Sequence, residues 1–534
     1  MTAIKTHSRR DFLYFLGRTA LTAYGASFLD LQTLSAEPSA GLPFQPIQPS
    51  DADELVLAKG FNYHIVAKWG DWLNKSEKFG THNDFVTFIP VKGTKNEGIL
   101  WVNHEYTNPL FINGKRYTKG EKRTREAVIA EMESVGGSIM KIKKDKQGNW
   151  QVVKNDPINK RITALTEIPF AWHEPIAGSK TAIGTLANCA GGQTPWGTAL
   201  SCEENYDTFW GERDFSKPEL PKLYEGDYGW ETVLNHAPEH YGWVVEINPL
   251  TGNAKKLIAL GRFAHEAATV WQMPDKRCVV YTGDDKENEH LYKFIASEPD
   301  SLEKGKLYVA NTQKGEWISL DLAEQPILQQ HFKSQTEVLI RCREAAKLVG
   351  ATPLNRPEDI EIDPVTKDIF VCLTNNNRTG DLYGSILRIT EKEGKDGLKF
   401  ESKTFIAGGE DTGFACPDNM VFDNKGNLWF TSDMYNMNQG AFKAFKNNGL
   451  FFVPMEGTNA GKTFQVASAP VDAEFTGPCF SPDFQTLFLC VQHPGDNSKS
   501  LTELTSHFPE GGNSMPKSCL VGIDGKSLAE ITKK

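Results

Sequence analysis

The chain has 534 residues, 39% hydrophobic and 24% charged; this globular composition supplies ample core and excludes a disordered or coiled-coil chain. Its formal net charge of -10, from 58 basic and 68 acidic residues, argues against a general nucleic-acid binder, which would carry a basic stripe, and suits a protein that gathers cations. The 46 Gly, 28 Pro and 31 Phe point to many turns between short apolar strands. Nine cysteines are too few and too scattered for a disulfide scaffold, and their odd number leaves at least one thiol unpaired.

Residues 1–36 read as an address and not as fold. In Ser8-Arg9-Arg10-Asp11-Phe12-Leu13 a twin arginine precedes a mildly apolar stretch that runs to Leu34 and is interrupted by Gly17, Arg18, Thr19 and Gly25. A spanning helix needs about 20 strongly apolar residues, so a membrane anchor fits poorly; an N-terminal helix of the mature domain is the other alternative. The stretch resembles a twin-arginine export signal cleaved near Ala36. It implies the twin-arginine export machinery as a partner, a periplasmic or secreted destination and no permanent membrane anchor. Export in the folded state commonly follows cofactor loading, so a metal centre is expected.

Beyond residue 80 one unit recurs: a polar or acidic start, an apolar strand, a tight turn and a second strand. Tyr241 to Asn253 has this design. Arg356 to Leu373 repeats it around a Pro364-Val365-Thr366-Lys367 turn. Asp418 to Asp433 does so around Asp423-Asn424-Lys425-Gly426-Asn427, and Thr476 to His493 around Ser481-Pro482-Asp483. Only 124–133 and 341–348 read as short helices. Units of this kind describe β-propeller blades. The expected fold is all-β, a single propeller of six blades over 37–534 with loop and short-helix insertions.

Acids stand at the openings of successive units: Glu105, the pair Glu203 and Glu204, Glu266, Glu358, Asp418 beside Asn419, and Glu474. Placed on the first strand of each blade, they converge in one central funnel. So many carboxylates cannot all stay ionised at close range without cations, and an oxygen-rich set selects hard ions such as Ca²⁺. Taken singly, each acid also reads as a loop cap or an arginine partner. The run Asp284 to Glu289 reads as a calcium loop or a solvated turn. His236 and His240 offer a zinc pair, but Pro238 between them argues against the necessary helix. Cys189, in a glycine-rich loop, and Cys202, before Glu203 and Glu204, are candidate thiolate ligands for a transition metal or simply buried small hydrophobes. Cys278, Cys342, Cys372 and Cys490 read as the latter. Gly457 to Thr463 imitates a phosphate-binding loop with one residue too few between its glycines, and there is no Gly-x-Ser-x-Gly elbow.

Several of these motifs, in order, resemble the PhoX family of bacterial alkaline phosphatases. They are the export signal, Asn188-Cys189-Ala190-Gly191-Gly192 with Thr194-Pro195-Trp196-Gly197-Thr198, Cys202-Glu203-Glu204-Asn205, Gly261-Arg262-Phe263-Ala264-His265-Glu266 and Arg356-Pro357-Glu358-Asp359. Phe475-Thr476-Gly477-Pro478, Ser481-Pro482-Asp483 and Gln492-His493-Pro494-Gly495 close the series. The chain departs from the family pattern at Ala187, Ala199 and Ala267. The resemblance implies a periplasmic phosphomonoesterase, a monomer acting on small phosphate monoesters, with Ca²⁺ and Fe³⁺ in the channel. A cysteine would ligate iron, Cys189 being favoured over Cys202. Glu204, Glu266, Glu358 and Asp418 would be metal ligands, Arg356 would contact the substrate phosphate, and Lys180 would be a second cationic contact. The competing readings are another metal-dependent propeller hydrolase, lactonase or phytase-like, and a non-catalytic binding propeller.

Overall fold

Alternating apolar residues and aspartate-headed turns build each hairpin of the protein. In Pro357–Ile362 and Ile369–Leu373 the apolar side chains of Ile360, Ile369 and Val371 are fully buried. Between these strands the Asp363 carboxylate accepts the Val365 N–H at 2.8 Å, while Lys367 closes the turn at φ 66°. Asp423 does the same for Lys425 and Asn427, at 2.9 and 3.0 Å. A short polar side chain that satisfies the backbone two residues on is what makes such turns tight.

In the computed structural model, residues 41–533 are described apart from 218–220, 436 and 438; the segment read as an export signal lies outside them. The body from Pro46 onward is built on six antiparallel sheets of four or five strands, taken here as blades I to VI from their innermost strands outward, with two further two-stranded sheets among the described residues. Blade I comprises Asn83–Pro90, Glu97–His104 and Gly136–Lys144, with Trp150–Val152 and Lys160–Ile162 both paired to the third strand. Blade II comprises Asn188–Gln193, Ala199–Glu203, Val244–Ile247 and Ala254–Leu257. Blade III runs from His265–Gln272 through Cys278–Asp284, Leu291–Ala296 and Gly305–Asn311 to Glu316–Ser319. Blade IV holds Pro357–Ile362, Ile369–Leu373, Ser385–Glu391 and Phe400–Ala407. Blade V holds Pro417–Phe422, Leu428–Ser432, Gly449–Val453 and Phe464–Ser468, with Val56–Leu57 at its edge. Blade VI holds Glu474–Phe480, Leu487–Gln492 and Cys519–Asp524, and its outer strand, Asn62–Lys68, comes from the other end of the chain.

That last pairing closes the ring, so no blade is left with an open seam. Apolar clusters fill the wedges between blades: Trp101, Ile139 and Val245 between I and II, Leu260, Phe294 and Leu307 beside III, and Phe370, Phe422 and Phe430 between IV and V. Near the axis neighbouring blades approach so closely that some positions admit no side chain. A Cβ on Gly192 would stand 2.0 Å from the Ala268 carbonyl oxygen, and one on Gly283 would stand 2.1 Å from that of Pro357, each in the next blade. The helices Arg125–Ser134 and Cys342–Val349 sit in insertions, where the two helical segments were expected. All nine cysteines are free. No helix among the described residues is long and apolar enough to cross a membrane.

Candidate metal centre

Strands one and two of a blade are antiparallel, so the start of the first and the end of the second lie at the same end of the channel. Blade I supplies Asp84 and Glu105 from these two places, blade II Cys189 and Glu204, and blade III Glu266 and Asp285. Blade IV supplies Glu358, blade V Asp418 and Asp433, and blade VI Glu474 and His493. The sequence reading put every acid on a first strand. Glu105 and Glu204 instead follow second strands, and they reach the same place because the hairpin returns there.

Local backbone geometry aims these side chains. Four non-glycine residues immediately before innermost strands are left-handed: His82 (φ 45°), Ala187 (51°), Arg356 (52°) and Cys416 (52°). Asp472 (59°) stands two residues before the innermost strand of blade VI, and Ala267 (62°) follows Glu266 directly. Each such residue stores roughly 1–3 kcal/mol of strain, which persists only where the surroundings over-determine it. Every innermost strand also carries a register shift near its start, at Asn83/Val86, Asn188/Gly191, Glu266/Thr269, Pro357/Ile360, Pro417/Met420 and Thr476/Cys479. Bulges of this kind bend a strand and re-aim a side chain beside a site.

Three overlapping clusters result: Asp84, Glu105 and Cys189; Cys189, Glu204 and Glu266; and Glu266, Asp285 and Glu358. Within each, the ligand atoms lie no more than 4.8 Å apart. Cys189 and Glu266 each belong to two clusters, and their Sγ and Oε1 are 2.6 Å apart. Burial first, then the neighbouring carboxylates, push Asp84, Glu105, Glu266 and Asp418 well above the ordinary carboxylate range. Glu204 and Glu358 are also driven up, chiefly by burial. Burial raises the Cys189 thiol as well. Buried oxygens of Asp84 (Oδ1), Glu204 (Oε1) and Glu266 (Oε2) have no hydrogen-bond partner. Buried polar atoms are rarely left so, and unpaired carboxylate oxygens beside a thiol fit bound cations.

Arg356 is fixed in this funnel. Its Nε and Nη2 donate to Asp285 at 2.8 and 3.0 Å, and Nη2 also donates to Glu358 at 2.6 Å. Burial opposes ionisation of Asp285, but the guanidinium holds it below its usual range. Across the funnel His493 donates through Nδ1 to the Asp472 carbonyl at 2.7 Å and through Nε2 to Glu474 at 3.1 Å. Against the effect of burial, this pairing lifts the imidazole to about 10 and holds Glu474 down.

Other sequence candidates lie elsewhere. Glu203 points away from the funnel because neighbouring residues on a strand face opposite sides. It accepts the Gly242 and Trp243 N–H groups at 3.0 and 3.1 Å and forms a fully buried pair with Lys256 at 2.6 Å. Cys202 is packed with Leu200, Trp243 and Leu257 in the apolar wedge, as a small hydrophobe. Asn419 spends its amide on protein contacts, donating to Asp418 at 3.1 Å and accepting from Gly477 at 2.8 Å, so it orients Asp418. Lys180 is exposed beside the hairpin Glu167–Pro169 and Thr181–Ile183, which adjoins the outer edge of blade II, far from the axis. His236 stacks against Trp210, and His240 contacts the Ile176 carbonyl; neither belongs to a metal-competent cluster among the described residues. The run from Asp284 is not a calcium loop of its own: Arg343 grips Asp284, Lys347 pairs with Glu289 and Arg378 with Glu287.

The sequence reading omitted Asp84 and Asp433 and left Asp285 and His493 without roles in the site. The available signal was the hairpin symmetry itself, which asks for a ligand at both the opening and the closing of each pair of strands.

The Glu203–Lys256 pair has a measurable consequence. Lys256→Met should lower stability by about 3–5 kcal/mol, because a buried carboxylate loses its only cation. Adding Glu203→Gln should restore most of that loss, as read from denaturant midpoints; an unchanged midpoint in the single variant would mean that the pair is not charged.

Fold and site together define a metal-dependent β-propeller. The chain belongs to the PhoX alkaline phosphatase family, whose model, "Alkaline phosphatase PhoX", matches residues 42–495. The solved structure "Pseudomonas fluorescens PhoX in complex with vanadate, a transition state analogue" is 29% identical, covers 91% of this chain and 98% of its own, and superposes with a TM-score of 0.80. Two curated proteins of human cytomegalovirus also match in part: "Uncharacterized protein HHLF5" (strain AD169), 28% identical over 21% of this chain, and "Protein US26" (strain Merlin), 25% identical over 41%. The chain spans only 18% and 33% of their respective lengths.

Proposed function

We propose that the protein is an extracytoplasmic phosphomonoesterase that releases inorganic phosphate from small phosphate esters, with calcium and iron held in the channel. The observation that carries this reading is the convergence of buried, partnerless carboxylate oxygens and one thiol beside a fixed arginine. Cys189 is the one soft donor in the three clusters and suits iron, whereas the carboxylates suit calcium. Asp84, Glu105, Glu204, Glu266, Asp285, Glu358, Asp418 and Glu474 would share the ions. The vanadate in the related bacterial structure supports phosphoryl chemistry for this geometry. The extracytoplasmic destination rests on the Arg9-Arg10 segment.

When bound, the ions would supply positive charge to the transferring phosphoryl group, which phosphoryl transfer chiefly requires. The chain supplies the rest. Arg356 commits Nε and Nη2 to Asp285 and Glu358 and has no hydrogen bond at Nη1 among the described residues. It thus presents a pre-oriented donor to a phosphoryl oxygen without reorganising during the reaction. His493, held as a cation at both ring nitrogens, keeps Glu474 ionised and fixed. Asn419 orients Asp418. The left-handed residues and bulges hold the whole set rigid.

The test is release of phosphate from p-nitrophenyl phosphate by protein purified with calcium and iron, together with a metal count. No turnover by metal-replete protein would overturn the reading.

A further inference from the structure

One residue beyond the second-strand acids of blades I, II and III stand Tyr106, Asn205 and Lys286, next to Glu105, Glu204 and Asp285. The three side chains form a row. Lys286 Nζ donates to Asn205 Oδ1, and Asn205 Nδ2 donates to Tyr106 Oη at 2.6 Å. The direction is forced from one end. An ammonium has no acceptor, so the Asn205 oxygen must face Lys286 and its NH₂ must face Tyr106. The phenol oxygen is therefore an acceptor in this contact, and its own O–H is left to point elsewhere. Among the described residues that O–H has no acceptor. The Tyr106 ring cannot swing freely, since it stacks on Phe209 at 6.2 Å and lies edge-on to His82 at 6.3 Å.

Each of these residues follows its acid out of the strand, so the row lies on the mouth side of the carboxylates. A phosphoryl group gripped by the cluster must send its organic part toward that mouth, which brings the bridging ester oxygen to the level of the row. We infer that Tyr106 is a catalytic hydrogen-bond donor to the leaving-group oxygen, its proton passing to that oxygen as the ester P–O bond breaks and being restored from the water that takes up the phosphoryl group, and that Asn205 and Lys286 are positioning residues which fix and polarise its hydroxyl. The cationic end of the row draws density through the amide and makes the phenol a stronger donor. Such a donor contributes in proportion to the negative charge that builds on the departing oxygen. That charge is large for an alkoxide and small for p-nitrophenolate.

This inference rests on the phosphatase reading, and the experiment separates the two. The metal-replete unaltered protein and Tyr106→Phe are compared on ethyl phosphate and on p-nitrophenyl phosphate. The expected result is a fall in kcat/KM of about 10²-fold on the alkyl ester, the scale of one lost transition-state donor, and a change of less than about threefold on the aryl ester, with metal content and vanadate inhibition unchanged. Lys286→Met and Asn205→Ala should show the same leaving-group selectivity at smaller size, and Lys286→Arg should restore most of the alkyl rate. They also provide the readout should Tyr106→Phe lose metal or fail to fold. Equal losses on both esters, which would place the donor on a phosphoryl oxygen, would overturn the assignment, as would no loss on either. No turnover by the unaltered protein would remove the phosphatase reading and this inference with it.

Discussion

Chelator treatment that strips the bound cations is expected to cut phosphatase turnover by on the order of 10³-fold, corresponding to the several kcal/mol of transition-state charge stabilisation that metal ions supply. The same treatment should leave a signature independent of activity. Without cations, Asp84, Glu105, Glu204, Glu266, Glu358 and Asp418 have pKa values raised by burial, so above the ordinary carboxylate range the stripped protein keeps protons that the unfolded chain has lost. Calcium added back in unbuffered solution should therefore release protons, which a pH-stat measures directly. The sign for stability follows. Groups whose folded pKa is raised bind more protons in the native state above their unfolded pKa, so stability of the stripped protein should fall as pH rises above the unfolded carboxylate values of about 4. Saturating calcium should flatten that slope. Full activity after chelation with no proton release would show that the carboxylates manage without ions.

Arg356→Ala should lower kcat/KM by about 10²–10³-fold, the scale of a lost transition-state donor, while Tm falls by only a few degrees. The asymmetry follows from the proposed roles: bound cations would still neutralise Asp285 and Glu358, whereas nothing would replace the arginine at the phosphoryl oxygens. Arg356→Lys should recover little, because an ammonium is a point charge without the planar fork that grips Asp285 through two parallel hydrogen bonds and holds a further donor in fixed alignment. The backbone provides an internal control. Position 356 is left-handed at φ 52°, so Arg356→Gly should be more stable than Arg356→Ala by about 1 kcal/mol while being equally inactive. An alanine variant that retains turnover, or that yields no soluble protein, would mean that the arginine is structural.

Glu203 and Glu204 show how far sequence reasoning reaches. They are adjacent in a motif that marks a metal site; both stand as candidate acids, and only the family resemblance favours Glu204. In the fold one enters the funnel, with an unpartnered oxygen, and the other is buried against Lys256, 53 residues away in sequence. The strand's alternation demands that they part. Which of the two faces the axis depends on where Val244–Ile247 and Ala254–Leu257 pack. The two cysteines divide for another reason: Cys189 lies on the innermost strand of blade II, at its register shift, whereas Cys202 lies on the second strand, in the wedge between blades. Lys180 shows the opposite error: proximity in sequence to the glycine-rich loop does not place it there, since the hairpin carries it to the outer edge of blade II.

The family resemblance put Arg356 in the site, and the sequence by itself determined the propeller, two of its helices and the acids Glu105, Glu204, Glu266, Glu358, Asp418 and Glu474. These are written in local terms: period-two strands, aspartate turns and recurring units. Only the tertiary structure decided that Asp84, Asp285, Asp433 and His493 complete the site, that Cys202 and Glu203 stand apart from it, and that Tyr106, Asn205 and Lys286 form one row. The reason is closure. Ligands from different blades are tens to hundreds of residues apart in the chain and become neighbours only when Asn62–Lys68 completes blade VI and brings six strand ends around one axis.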